Sequence, residues 1–554
     1  YLESFGNPRR FARVARRVAA RKPVIVLKSG RTVLGDARPG DQRPGDTARG
    51  HTTPGDAEAG NAAPGDTTLG HAVPGNTVPG NAGLGVTVRG NAGLGGTVPG
   101  GRAARSHTAA AATPGVAVDA LLTAAGVIRV DTVQQLLDTA RLLTGGPLPA
   151  GPRVAIVGDS GGMGALTADA CEQHGLVVPE LAPETRRRLR REAPCVAWVT
   201  NPVNLATDAP AARLAAAVRA VLADPAADAV LVVYTPPFGS GREATCAAIA
   251  EVARDAAKPV LACVLGHDGR LGDRTPGYAF PEQAVQALAR VVDFVRRRDR
   301  PAVAAEAQPW RRDRAAAALV RRELAAHPGG RWLDQPTAAR LLACYGVHVA
   351  ESISVDGPES AAEAAALTGL PAALKATGPD LIHKSDVGGV ALGLATPADV
   401  ARAYREMAAR LGPAMTGALV QPMAADGVEI IIGGVEHPAF GPLIMVGMGG
   451  PTAELLTDRA FRVPPVTRQD AAEMLRELRC YPLLTGYRGR PEANIAALEE
   501  QIVRVARFLG DVPEAAELDL NPVLVTPRGA VAVDVRLRLA PLPPPPSPYR
   551  RRLR

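Results

Sequence analysis

The chain has 554 residues, 63 Lys and Arg against 55 Asp and Glu (net charge +8), and 46% hydrophobic content, enough for about three or four domains. No apolar run reaches the roughly 18 residues of a membrane span, and only 3% of residues are aromatic, so stacking platforms for single-stranded nucleic acid are not evident. Cys171, Cys195, Cys246, Cys263, Cys344 and Cys480 show no CxxC spacing and read as reduced core thiols of a cytoplasmic protein. No signal peptide is visible, and a start at Tyr1 rather than Met suggests a fragment or a mis-set start.

Residues 1–34 read as strand, helix and strand. Phe11, Val14, Val18 and Ala19 lie at helical spacing, and Pro23 to Lys28 is the continuous apolar run of a strand covered on both faces. From 35 to 100 glycine recurs every fifth residue, with almost nothing large to bury, so a low-complexity insertion is expected. Residues 101–150 return to globular sequence with helices near Ala117–Ala125 and Val133–Leu143. Strands at Arg153–Val157, Ala229–Tyr234 and Pro259–Val264, with Ala-rich helices between them, predict a doubly wound parallel sheet over 151–295. The turn Gly158–Gly164 is a weak candidate for phosphate at a helix N-terminus. Residues 296–330 read as a linker carrying a helix, 331–541 as a further α/β domain opening with helix Thr337–Tyr345, and 542–554 as a Pro/Arg tail.

The chemistry concentrates in 331–541. Only five lysines occur in the chain, yet Lys375 and Lys384 stand within ten positions, with His383 between them. A compact ammonium is a phosphate point charge that guanidinium does not replace, an imidazole is a nucleophile near pH 7, and Gly388-Gly389 lets backbone N–H groups approach anionic oxygens. Downstream come an apolar strand ending Val420-Gln421-Pro422-Met423, a strand with Glu429 as its only charge, and the glycine loop Gly447 to Gly450. Last is Glu517-Leu518-Asp519-Leu520-Asn521-Pro522, whose period-2 alternation puts Glu517, Asp519 and Asn521 on one strand face. Such oxygen donors suit Mg²⁺ held between protein and nucleotide phosphates.

Together these motifs resemble the ATP-grasp domain of the ADP-forming acyl-CoA synthetases, relatives of succinyl-CoA synthetase. Upstream, Tyr1-Leu2-Glu3-Ser4-Phe5, Lys28-Ser29-Gly30-Arg31 and Ser106-His107-Thr108 resemble the same family, as does the parallel-sheet region. The resemblance implies an α/β chain with flavodoxin-like doubly wound parallel sheet domains followed by a C-terminal ATP-grasp domain. Residues 1–34 would be the remnant of a CoA-binding α/β domain, 101–150 the phosphohistidine loop with its helical connection, and 151–295 the flavodoxin-like domain. It further implies Lys375, Val420, Gln421, Met423, Glu429, Gly449 and Gly450 as nucleotide-binding, Asp519 and Asn521 as Mg²⁺ ligands, and His383 as phosphoryl relay. His107 would be the phosphohistidine, supported by Glu3.

The implied ligands are ATP or ADP, Mg²⁺, a carboxylic acid or acyl-CoA, and coenzyme A, whose site would fall largely outside this chain. A homo-oligomer is expected, with no nucleic-acid or membrane partner. The alternative reading is a nucleotide- or acyl-CoA-sensing region of a GNAT-type protein lysine acetyltransferase; an ATP-grasp carboxylate–amine ligase would leave the Ser-His-Thr loop unused. Ala109, where Gly is common, and the repeats between Arg31 and His107 depart from the family pattern.

Overall fold

The computed structural model describes residues 1–2, 7–28, 114–193, 198–207, 209–235, 241–299, 313–378, 381, 384, 387–450 and 458–542. Glu3, the repeats, His107, Cys195, His383 and the tail from 543 lie outside the described residues.

The first helix, Pro8–Ala19, starts where the Asn7 side chain accepts from Arg10 N–H at 2.9 Å, with proline in its first turn, as helix starts favour. Strand β1 (Ile25–Leu27) pairs in parallel with β2 (Ile128–Val130), so the segments before and after the repeats meet in one small sheet. Helices Pro114–Ala124 and Val133–Leu143 flank β2.

A six-stranded sheet follows, built from β3 (Val154–Gly158), β4 (Val203–Asn204), β5 (Ala229–Tyr234), β6 (Val260–Val264), β7 (Gly269–Leu271) and β8 (Thr275–Tyr278) in the order β4-β3-β5-β6-β8-β7. All its pairings are parallel except β7 with β8. Its central strands β3, β5 and β6 are buried at every position because both faces are covered. Ala155, Val157, Val230 and Val232 pack with Leu214 and Ile249 on one side, while Val154, Ile156, Leu231 and Val233 pack with Cys171 and Leu288 on the other. That is the doubly wound arrangement expected.

The C-terminal body contains two antiparallel sheets. Its strands are β9 (Arg331–Trp332), β10 (Ile353–Val355), β11 (Ala372–Thr377), β12 (Val390–Leu394), β13 (Gly417–Pro422), β14 (Val428–His437), β15 (Gly441–Met448), β16 (Arg459–Arg462), β17 (Ala515–Thr526), β18 (Gly529–Ala532) and β19 (Val535–Leu539). The smaller sheet runs β10-β13-β11-β12. The larger runs β16-β15-β14-β17-β19-β9, with β18 on β17. Helices Pro358–Thr368 and Pro397–Leu411 share a core with Leu374 and Val420 of the smaller sheet, and helix Ile495–Asp511 with Ile430, Ile432, Leu518 and Leu520 of the larger. Helix Arg314–Ala326 also buries Ala316 and Val320 in the larger core. The expected helix at Thr337–Tyr345 runs Gln335–Ala343, drawn upstream by the Asp334 side chain accepting from Thr337 N–H at 2.8 Å.

One apolar cluster joins the first segment to the last. Ala15, Val26, Ala117, Leu121, Leu122 and Val127 are buried with Phe440 and Leu443, and partly buried Phe11, Val435 and Phe461 pack against them. Arg9 pairs with Glu436 at its edge. Leu443 is fully buried, so Leu443→Ala should cost about 2–5 kcal/mol. Thermal unfolding checks this against Leu367→Ala, which is 81% exposed and should stay within about 0.5 kcal/mol of the parent.

Candidate active site

The site lies between the two C-terminal sheets and follows from the two-residue period of a strand. On β11, Ala372, Leu374 and Ala376 enter the core under the sheet, while Ala373 and Lys375 line a cavity of about 1130 Å³. On β13, Val420 enters that core and Gln421 faces the cavity. Across the gap, Leu518 and Leu520 of β17 fill the larger core, leaving Asp519 and Asn521 to face the cavity. The volume lies just above the roughly 300–1,000 Å³ usual for small-molecule sites.

Pro522 helps to set the geometry of this face. It cannot donate to a ladder, and the β14–β17 register shifts here, with Ile430 opposite Val523 and Ile432 opposite Leu520. Asn521 and Pro522 therefore oppose Ile431 alone, a bulge of the kind that re-aims a side chain beside a functional site. Asn521 N–H instead donates to Asp534 O at 3.3 Å.

Gln421 is 2% exposed, and its Nε2 has no hydrogen-bond partner among the described residues. Leaving such a donor unanswered costs about 1–3 kcal/mol, so the strand end holds a polar atom ready for a ligand acceptor. Met423 N–H is already donated to Pro371 O at 2.9 Å; what Met423 offers the cavity is its thioether side chain, 37% exposed. Gly450 has φ +77°, and a Cβ there would stand 2.6 Å from Glu429 Oε2, so both backbone conformation and space call for glycine. Gly449 N–H donates to Glu429 O at 2.8 Å, which ties this loop to β14.

Lys375 is 7% exposed and donates to Val533 O at 2.6 Å. Burial pulls its pKa below the usual lysine range; Asp534 opposes that shift and Lys384 adds to it. The Lys384 ammonium lies 3.8 Å from Asp534 Oδ1.

Of the expected binding residues, Lys375, Gln421, Met423, Glu429, Gly450, Asp519 and Asn521 all line this cavity. Val420 turns its side chain into the core, and Gly449 stands beside the lining residue Gly450. Glu517 shares the strand face of Asp519 but pairs with Arg538 at 3.0 Å. The sequence reading missed Asp534, Arg490 and Arg536, which also line the cavity. A signal for Asp534 and Arg536 existed in their period-2 spacing at the start of β19, one hairpin after Asn521. Arg490 carried none, since arginine is so abundant here. Among the described residues no three His, Cys, Asp or Glu side chains form a metal cage. The parallel-sheet turn at Gly158 places buried Asp159 at its mouth, accepting from Thr235 N–H and Oγ1 at 3.0 and 2.8 Å.

Three domain families match the chain. The ATP-grasp domain matches residues 324–539, the succinyl-CoA-ligase-like flavodoxin domain residues 1–43 and 93–143, and the Ligase-CoA domain residues 154–320. The ADP-forming acetate–CoA ligase I of Archaeoglobus fulgidus is 29% identical over 552 residues, covering 97% of this chain and 69% of that protein. The beta subunit of the ADP-forming acetate–CoA ligase I of Pyrococcus furiosus is 37% identical over 210 residues, 37% of this chain and 90% of that one. Among solved structures, acetyl-coenzyme A synthetase 1 of Ca. Korarchaeum cryptofilum, in complex with coenzyme A and Ca-AMPCP, is 37% identical. It covers 41% of this chain and 99% of that chain with a TM-score of 0.38, too low for the superposition to bear on geometry. The matched relatives are ligases, which leaves the acetyltransferase-fused regulatory alternative without support.

The depressed Lys375 pKa has a definite sign. The unfolded chain holds this proton more tightly, so the buried charge opposes stability at neutral pH, and the opposition is relieved as pH rises through the folded pKa. Lys375→Met should therefore leave the melting temperature equal or higher. Its affinity for ATP, read by calorimetry, should fall about 10- to 100-fold with the loss of a charge-assisted contact.

Proposed function

This chain belongs to the ADP-forming acyl-CoA ligase family, the acid–thiol ligases that combine ATP-grasp, Ligase-CoA and succinyl-CoA-ligase-like domains, and we propose that it interconverts acyl-CoA, ADP and phosphate with carboxylic acid, CoA and ATP. The observation that carries this reading is the convergence of Lys375, Gln421, Asp519 and Asn521, from two separate sheets, on one cavity. The chain spans about two thirds of the Archaeoglobus relative, so the overall reaction, CoA as a substrate, a cytoplasmic location and a homo-oligomeric state are all part of the proposal. No helix among the described residues is long and apolar enough to cross a membrane.

In this reading the nucleotide lies between the sheets, its base against the Gln421–Met423 strand end and its phosphates towards Lys375 and Lys384. Asp519 and Asn521, joined by Asp534, are the oxygen donors suited to Mg²⁺, which when bound neutralises charge on phosphate oxygens. The lone pair of a neutral His383 imidazole attacks the γ-phosphorus; the N–P bond forms as the bond to the ADP oxygen breaks. Lys375 and Lys384 hold their protons and counter the charge on the equatorial oxygens. His107 then takes the phosphoryl group in the same way, its ring oriented by Glu3, and passes it to the carboxylate as an acyl phosphate that CoA thiolate cleaves. The reverse sequence makes ATP.

Incubation with γ-labelled ATP and Mg²⁺ tests the relay without CoA. Acid-labile, base-stable label should appear on both His383 and His107 of the parent chain, on His383 alone in His107→Ala, and on neither in His383→Ala. Label confined to His383 in the parent chain would mean that transfer stops at the ATP-grasp domain. No label despite ATP binding would overturn the synthetase reading.

A further inference from the structure

Two of the five lysines in the chain reach across the cavity to the same corner of the opposite sheet. Lys375, on β11, donates to Val533 O at 2.6 Å. Lys384, in the connection from β11 to β12, lies 3.8 Å from Asp534 Oδ1. Val533 and Asp534 are adjacent residues between β18 and β19. Both contacts therefore run from the smaller sheet to one carbonyl and one carboxylate on the larger, and all four residues line the cavity.

The corner offers what a phosphate offers: oxygen acceptors and negative charge facing two ammonium groups. Asp534 raises the proton affinity of Lys375 while Lys384 lowers it, so the carboxylate offsets the mutual repulsion of the two cations. Its own place is fixed, since Asp534 Oδ1 accepts from Val535 N–H at 3.1 Å. Lys384 itself is tied to the start of β12: Gly389 N–H donates to Lys384 O at 2.6 Å, and Arg410 donates to Gly388 O at 2.9 Å.

We propose that the Val533–Asp534 corner is an internal stand-in for nucleotide phosphate, a latch that holds both lysines across the cavity and that nucleotide oxygens must displace. This rests on the reading of the cavity as a nucleotide site. It gives Asp534 a role apart from any metal: without metal, its carboxylate competes with the nucleotide for Lys384.

The test is metal-free binding of ATP, and of inorganic tripolyphosphate as a probe without a base, to the full chain in excess chelator. Asp534→Asn keeps the shape and the acceptor for Val535 N–H. Releasing one ion pair should tighten metal-free binding of both probes about three- to tenfold. Lys384→Met should weaken it, and in the Lys384→Met background the added Asp534→Asn change should lose most of its effect, because the lysine it releases is gone. Weaker or unchanged binding in Asp534→Asn would overturn the latch. Equal tightening in both backgrounds would do so too, reducing Asp534 to simple repulsion. Failure of the parent chain to bind ATP even with Mg²⁺ would instead overturn the nucleotide reading, and the latch with it. Thermal unfolding of each variant checks that the fold is kept.

Discussion

A buried ammonium must be answered, and the answer to Lys375 links the two sheets of the C-terminal body. Its burial is costly in itself, which is visible in its depressed proton affinity. The answer comes from the other sheet, as the Val533 carbonyl and the nearby Asp534 carboxylate. The cavity is thus held from both sides by a polar contact that neither sheet could make alone. A strand carrying Lys375 between Leu374 and Ala376 is a core strand on one face and a cavity-lining strand on the other, and the cavity lies between two such faces.

That duality explains what the sequence could tell. Asp519 and Asn521 were legible because they alternate with leucines along one strand, Lys375 because lysine is scarce in this chain, and Gln421 only through the resemblance of its strand end. The parallel sheet was legible for the opposite reason, since runs such as Ala229–Tyr234 without alternation imply cover on both faces. Asp534 was harder, because its importance depends on the hairpin that brings β19 back beside β17. Val420 illustrates the converse. It was drawn in by the resemblance of its neighbours, but the strand period sends its side chain into the core.

The joint between the first and last segments was not legible at all. Phe11, Leu121, Phe440 and Leu443 are ordinary apolar residues in ordinary elements, and only tertiary packing makes them one cluster. The same small unit also contributes Ile128 and Leu142 to the core of the parallel sheet. It is therefore wedged between two larger bodies and shares apolar surface with each. Burial of that kind constrains the relative placement of elements far more than a covalent linker does.

The pairing of β1 with β2 bears on how this chain can change over time. Ile25 is matched to Ile128 and Leu27 to Val130, so the described segments on either side of the glycine repeats are held in one register. Closing a loop costs only about 0.6 kcal/mol more for each doubling of its length. Tandem five-residue units are also the kind of sequence that copying errors lengthen and shorten. The small sheet tolerates those errors: units can be gained or lost in whole numbers while the register on either side, and the joint to the nucleotide-binding body, stay as they are.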